Sequence, residues 1–344
     1  MSAHGGLPLA LTLGEPAGIG PDLTLAIWLR RRALDLPPFY ILGDVDFLTQ
    51  RARALGLDVA LTAVAPHEAS AAFARALPVS PLKLPVSAEP GMPDATSAPA
   101  VIASIRRAVA DVMDGRAAAI VTNPIAKNVL YSAGFADPGH TEYLARLCQE
   151  ATGRPTMPVM LLWAPELAVV PVTIHIPLKD VIRQLTADLI VETGRIVARD
   201  MTARFRIAHP RLAVTGLNPH AGEHGTLGQE DEQIVRPAVE RLKAEGIDAR
   251  GPLSADTLFH ARARATYDVA LCMYHDQALI PIKTLAFDHG VNVTLGLPFV
   301  RTSPDHGTAF GLAGTGTANP ASLVAAIKLA ARLAAAAPAP ALAK

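Results

Sequence analysis

Along this chain, short apolar runs of strand length alternate with longer stretches of helical periodicity. The runs LALTLG (9–14), FYILGD (39–44), AAIVTNP (118–124), VMLLWAP (159–165), LAVVPVTIHIP (167–177), RLAVTGLNP (211–219), YDVALCMYH (267–275) and GVNVTLGLP (290–298) are largely apolar and end at Gly, Pro or polar residues. They read as buried strands. Residues 21–34, 98–115, 186–205 and 230–246 repeat apolar positions every three or four residues and read as amphipathic helices. That alternation predicts an α/β fold with a largely parallel sheet. Residues 78–99, rich in Pro, Ser and Ala, read as a surface excursion, and the low-complexity end AAAAPAPALAK as a frayed tail.

Composition narrows the class. With 344 residues, 50% of them hydrophobic, the chain can bury a large core, and its length favours two domains. Lys and Arg number 31 and Asp and Glu 31, so there is no basic footprint for nucleic acid. No apolar stretch of about 18 residues is available to span a membrane. The first residues lack the basic region of a signal peptide and lead into a core strand. Cys148 and Cys272 stand far apart in apolar surroundings and read as buried free thiols, which predicts a cytoplasmic protein.

Polar residues collect where apolar runs end, at VTNP, VTIHIP, GLNPHAGE and CMYHDQ. In an open α/β sheet, ligands bind beyond the carboxyl ends of the strands. Three of these ends carry His175, His220 and His275. Three neutral imidazoles from separate strands make a divalent-metal site with an open position; the alternative is three histidines each bonded to a nearby carbonyl. Asp276, beside His275, and Asp256 in SADTLF are candidates for orienting such ligands or moving a proton, and Asp256 is equally a helix cap.

Anion and cofactor candidates lie elsewhere. The junction GHTEYLA offers His140 and Thr141 to an anion at a helix start, or forms a plain capping box. Lys283, Asn292 and Arg301 supply two cations and an amide suited to a phosphate, unless the cations are simply solvated. No G-x-G-x-x-G occurs, because the Gly18/Gly20 pair is followed by Leu23 and the Gly314/Gly316 pair by Asn319. The glycine-rich stretch 305–320 instead offers Gly307, Thr308 and Asn319 to a cofactor, or merely turns the chain.

In CMYHDQALIPIK, His275 and Lys283 are separated by about 26 Å if the segment is extended. They are separated by about 12 Å if it is helical. Either the segment turns after Asp276 or the two residues serve different sites.

The blocks TLGEPAGIGPDL, GHTEYLA, GLNPHAGEHGTLGQEDEQIV, GPLSADTLF, YHDQALIPIK and GVNVTLGLPFVRTSPDHGTAF together resemble the 4-hydroxythreonine-4-phosphate dehydrogenase family of vitamin B6 biosynthesis, over nearly the whole chain. The last of them also resembles the cofactor segment of isocitrate and isopropylmalate dehydrogenases. The resemblance implies two α/β/α domains of the isocitrate/isopropylmalate dehydrogenase-like type with the active site in the cleft between them. Residues 1–135 with 300–335 would form the cofactor side, and 136–299 the part with the metal ligands and dimer interface. Residues 336–344 would be the tail. It implies a homodimer with a shared active site, His275 coming by position from the neighbouring chain.

On that resemblance His175, His220 and His275 hold a divalent metal, zinc first, with magnesium or cobalt as alternatives. His140, Thr141, Lys283, Asn292 and Arg301 contact the phosphorylated amino-acid substrate. NAD is the cofactor, with NADP as its alternative. The implied reaction is oxidation of 4-phosphohydroxy-L-threonine to 2-amino-3-oxo-4-phosphobutanoate, which decarboxylates to 3-amino-2-oxopropyl phosphate. The segment TNPIAK departs from the family pattern after Thr122, so Lys127 receives no role from it. Alternatives are a related dehydrogenase of phosphothreonate or phosphoerythronate, a metal-dependent hydrolase or decarboxylase, and a non-catalytic phosphometabolite-binding protein.

Overall fold

The computed structural model describes residues 6–137 and 139–336. The expected tail beyond Ala336 lies outside the described residues. Among the described residues the strands are β1 (Leu9–Thr12), β2 (Phe39–Gly43), β3 (Leu61–Ala63), β4 (Leu77–Pro81), β5 (Ile120–Val121), β6 (Val159–Ala164), β7 (Leu167–Thr173), β8 (Leu212–Thr215), β9 (Ala249–Leu253), β10 (Val269–Tyr274), β11 (Val291–Leu295) and β12 (Arg301–Pro304). No helix among the described residues is long and apolar enough to cross a membrane.

The chain divides into two compact units, one formed up to Pro158 and from Leu297 onward, the other from Val159–Gly296. The first division falls later than the 135/136 read from the sequence. The reason is the helix His140–Thr152, which buries Tyr143, Leu144, Leu147 and Cys148 in the same core as Ile105 and Val109 of the helix Ala98–Met113. Leu297 and Phe299 join that core as well, which moves the second division ahead of 300.

In the first unit the strand order is β3-β4-β2-β1-β5-β12, and every pair is parallel. All four residues of β1 and all five of β2 are buried, as expected for strands covered on both faces. β4 corrects the expected surface excursion at its start. Leu77, Pro78, Val79 and Ser80 are buried between β3 and β2, and Pro78 is tolerated near the strand's beginning. Trp28, in the helix Gly20–Leu29, is 3% exposed and donates Nε1–H to the Phe73 carbonyl at 3.1 Å.

In the second unit the order is β11-β6-β7-β10-β8-β9. β6 runs antiparallel to both β11 and β7, while β7, β10, β8 and β9 are mutually parallel. Trp163 in β6 stands 6.4 Å from the Phe205 ring, centroid to centroid. The centre of this sheet buries Leu162, Val169, Ala213, Ala270 and Cys272, with Ala278 and Ile282 packed over them. The three adjacent parallel strands β7, β10 and β8 are the ones followed by His175, His275 and His220, so the topology places all three histidines beyond neighbouring carboxyl ends.

Candidate metal and substrate site

β7 stops at Thr173, short of the run read from the sequence, because His175 takes a positive φ of 49° that no strand accommodates. β10 ends at Tyr274, and the helix His275–Ala286 begins at once. The segment therefore becomes helical at His275, ahead of the turn expected after Asp276. Pro281 lies within that helix. The His175 and His275 rings lie 5.6 Å apart, centroid to centroid, tilted at 45°. Both line a cavity of about 310 Å³ together with Thr173, Leu178, Tyr274 and Asp276. Asp276 Oδ1 lies 2.7 Å from His275 Nδ1. A proton on Nδ1 in that contact leaves Nε2 as the lone-pair donor, the arrangement by which a carboxylate orients a ligating imidazole.

Gln277, in the same stretch but without an assigned role, fastens these strand ends. Its Oε1 accepts the Met273 N–H at 2.7 Å and the Thr215 hydroxyl at 2.7 Å, and its Nε2 donates to the Gly216 carbonyl at 2.8 Å. Thr173 adds a hydroxyl bond to the Met273 carbonyl at 2.7 Å. The exits of β7, β10 and β8 are thus joined by side chains as well as by the ladder.

His220 lies in Pro219–Gly225, where residues 220–224 are all left-handed, with φ between 43° and 75°. For an L-residue this conformation costs about 1–2 kcal/mol, and four of the five are not glycine. Strain of this kind persists only where surrounding structure holds it, and it gathers at functional sites. Asp256 lies within the turn Ala255–Thr257, whose N-cap is Ser254, so it is not the helix cap considered from the sequence. The Ser254 hydroxyl, and to a smaller degree the His220 charge, hold its carboxyl below the ordinary range. Among the described residues, no three His, Cys, Asp or Glu of one chain come together as a metal cage. The chain brings His175 and His275 together and leaves His220 outside that pair.

The anion candidates of the first unit surround the start of His140–Thr152. Its N-cap is Gly139 with no side-chain cap bond, so the capping box considered for GHTE is not formed. A Cβ on Gly139 would stand 2.8 Å from Glu142 Oε2 and 3.0 Å from Lys127 Nζ, so the ends of both charged side chains lie close against this backbone. His140 Nε2 is shielded and without a hydrogen-bond partner among the described residues. Burial, then the charges of Arg301 and Lys127, push the His140 pKa well below its usual value, which keeps the ring neutral. Arg301 is 4% exposed, its Nη2 2.6 Å from the Thr122 hydroxyl, and burial lowers its pKa to about 10. Thr141 stands in the first turn beside His140. In the second unit, Lys283 lies on His275–Ala286 with Nζ 6.0 Å from the Phe287 ring, and Asn292 is a strand residue of β11 paired with Leu162.

The glycine-rich loops meet in the first unit. Thr308 accepts the Ile19 N–H at 3.0 Å, and a Cβ on Gly18 would come within 2.8 Å of the same carbonyl. Gly307 has open space where a Cβ would project. Asn319 Oδ1 accepts the Ala321 N–H at 3.0 Å, at the start of the helix Ala321–Ala336. Asp22 and Arg51, unmarked by any sequence signal, form a buried 2.5 Å ion pair beneath these loops.

Two α/β units, one with a parallel and one with a mixed sheet, polar groups beyond the parallel strand ends and a buried cation beside a helix start define an α/β enzyme that works on a small anionic metabolite. The chain belongs to the pyridoxal phosphate biosynthetic protein PdxA family, whose model matches residues 35–330. It is 63% identical to a 4-hydroxythreonine-4-phosphate dehydrogenase from Bradyrhizobium diazoefficiens over 98% of this chain and 99% of the relative. It is 64% identical to the protein of the same description from Xanthobacter autotrophicus over 95% and 93%. A crystal structure of 4-hydroxythreonine-4-phosphate dehydrogenase from Klebsiella pneumoniae superposes with a TM-score of 0.83 at 38% identity, covering 95% of this chain and 99% of that one.

Proposed function

We propose that the protein oxidises 4-phosphohydroxy-L-threonine with NAD to 2-amino-3-oxo-4-phosphobutanoate, which loses carbon dioxide to give 3-amino-2-oxopropyl phosphate, in pyridoxal 5'-phosphate biosynthesis. The observation that carries this is the oriented pair His175–His275 at adjacent strand exits, in a chain whose relatives bear that enzyme's description. The donor set suits a divalent ion: two neighbouring imidazoles, one with a carboxylate on its far nitrogen, face an open cavity. His175, His275 and His220 would hold the ion, zinc first, with magnesium or cobalt as alternatives. When bound, such an ion supplies Lewis acidity toward a hydroxyl or carbonyl oxygen.

The chain's own groups do the positioning. Asp276 fixes the His275 ring, and Asp256, its carboxyl held below the ordinary range first by the Ser254 hydroxyl, is the candidate for moving a proton. Arg301, His140 and Thr141 offer a permanent cation, a neutral imidazole and donors at a helix start to the phosphate. Lys283 and Asn292 keep their expected role as substrate contacts. Gly307 and Thr308 present backbone to the NAD cofactor, and Asn319 fixes the helix that follows. In the oxidation, the substrate hydroxyl gives up its proton and its carbon gives hydride to the nicotinamide. The ketone so formed is β to the carboxylate, so carbon dioxide leaves with the C–C bond electrons passing to the carbonyl, and the enolate that results takes a proton from water at its carbon to give the amino ketone.

A homodimer with a shared site completes the reading. One chain alone does not gather three metal ligands among its described residues. Leu178 and Ile182 are 66% and 55% exposed on Leu178–Gln184, and Phe287 is 74% exposed just after His275–Ala286. Apolar side chains this exposed beside a candidate site suit a partner surface. The test is absorbance of reduced cofactor with 4-phosphohydroxy-L-threonine against phosphothreonate and phosphoerythronate. Turnover of the sugar acids alone would move the protein to the related dehydrogenase branch. Binding without reduction of NAD would make it a metabolite-binding protein.

A further inference from the structure

The left-handed turn that carries His220 needs something to hold it, and the buried carboxylate of Asp231 lies against it. Asp231 is 0% exposed. Its Oδ1 accepts the Leu217 N–H at 2.7 Å, and its Oδ2 accepts the Asn218 N–H at 3.0 Å and the Asn218 side-chain amide at 3.1 Å. That amide also donates to Glu230 Oε2 at 2.8 Å. The carboxylate fills the concave side of the turn so closely that a Cβ on Gly216 would stand 2.8 Å from Oδ1, and one on Gly222 3.1 Å from Oδ2. Gly216 in turn lies against Ala221, the residue after His220, where an added Cβ would meet Ala221 Cα at 2.6 Å.

Asp231 itself begins the π-turn Asp231–Val235, placed between the loop and the helix Arg236–Ala244. Single π-turns are frequent at functional sites because the wider turn re-aims a side chain. Here it aims a carboxylate at the N–H groups leaving β8. Three donors satisfy this one buried carboxylate. The same bonds fix Leu217 and Asn218, from which the left-handed turn departs.

We propose that Asp231 is a positioning residue for His220: it holds the left-handed turn in the shape that presents this imidazole to the metal. The proposal rests on the reading of His220 as a ligand. Asp231 acts through the backbone of 216–222 and makes no contact with the ion.

The test uses the full-length protein stripped of metal and titrated with cobalt, read by the visible absorption band and by chelator competition. Asp231→Asn should weaken cobalt binding about 10- to 100-fold, the range for loss of an outer-shell partner. NADH binding, followed by fluorescence, should be unchanged. In the double variant His220→Ala/Asp231→Asn, cobalt affinity should equal that of His220→Ala alone, because the carboxylate has nothing left to position. Unchanged cobalt affinity in folded Asp231→Asn would overturn the proposal, as would an equal loss of NADH binding or a further loss in the double variant. Should Asp231→Asn fail to fold, Gly222→Ala presses a methyl on the same carboxylate; it should weaken cobalt in the same direction, and no change would again overturn the idea. Full cobalt affinity in His220→Ala would instead remove His220 from the ligand set, a separate failure of the reading beneath.

Discussion

The side-chain amide of Gln277 and the carbonyl of Gly216 are joined by a 2.8 Å hydrogen bond that ties the third residue beyond β10 to the first residue beyond β8. Gln277→Leu would leave that carbonyl, the Met273 N–H and the Thr215 hydroxyl without this partner. Leaving buried polar groups unsatisfied costs about 1–3 kcal/mol each. Thermal unfolding should show a loss of that order, and metal content should fall with it. Gln277→Glu keeps the two accepting interactions and loses the donor, so it should be the milder change. Equal stability of Gln277→Leu and the parent would show that the ladder alone aligns these strands.

Substituting His175, His220 or His275 by Ala should abolish turnover and lower bound metal while circular dichroism stays that of the parent. If the site is shared between subunits, mixtures of two inactive chains lacking different histidines should regain activity in at least one pairing. The pairing that recovers identifies the histidine supplied by the partner. If subunits exchange and every mixture stays dead, each site belongs to one chain.

Removing Arg301 should weaken the phosphorylated substrate by roughly 2–5 kcal/mol, the loss seen when one side of a buried charge pair is truncated. NADH binding should barely move. Arg301→Lys should recover little, because a point charge does not replace the guanidinium fork that reaches the Thr122 hydroxyl. Equal losses for both ligands would mark a folding defect.

His140 predicts a pH dependence of stability. Its folded pKa lies well below 6.5, so the unfolded chain binds the proton first. The stability it contributes is full above about pH 6.5 and is lost as pH falls below that value toward the folded pKa. His306, lowered by burial, acts in the same direction. Melting temperatures of the parent and His140→Gln should therefore converge as pH drops from 7 to 5. A constant gap would show that His140 titrates alike in the folded and unfolded states.

Much of this architecture was readable from residue patterns. β1, β2, β7, β8 and β10 fall on continuous apolar runs, because a parallel strand covered on both faces has no polar side to show, and the antiparallel β6 and β11 fall on such runs as well. β4 was missed since Pro78, Ser80 and Pro81 carry loop chemistry, while its burial comes from neighbours far away in sequence. The helix His275–Ala286 was hidden by Pro281, which breaks the usual pattern from within. Among site residues, the histidines were visible because strand exits are. The left-handed turn was not, as His220, Ala221, Glu223 and His224 have no preference for that conformation. Asp231 looked like one more polar position on a helix, and only the fold turns it toward the N–H groups of Leu217 and Asn218.

The two tryptophans are divided one to each compact unit, Trp28 in the first and Trp163 in the second. Each unit thus contains its own intrinsic fluorophore, needing no label. Trp28→Phe leaves emission from the unit with the metal-candidate histidines; Trp163→Phe leaves emission from the unit with the glycine-rich loops. Comparing the two variants through a denaturant series separates the melting of each unit, and coincident curves would mean that both unfold in one cooperative step.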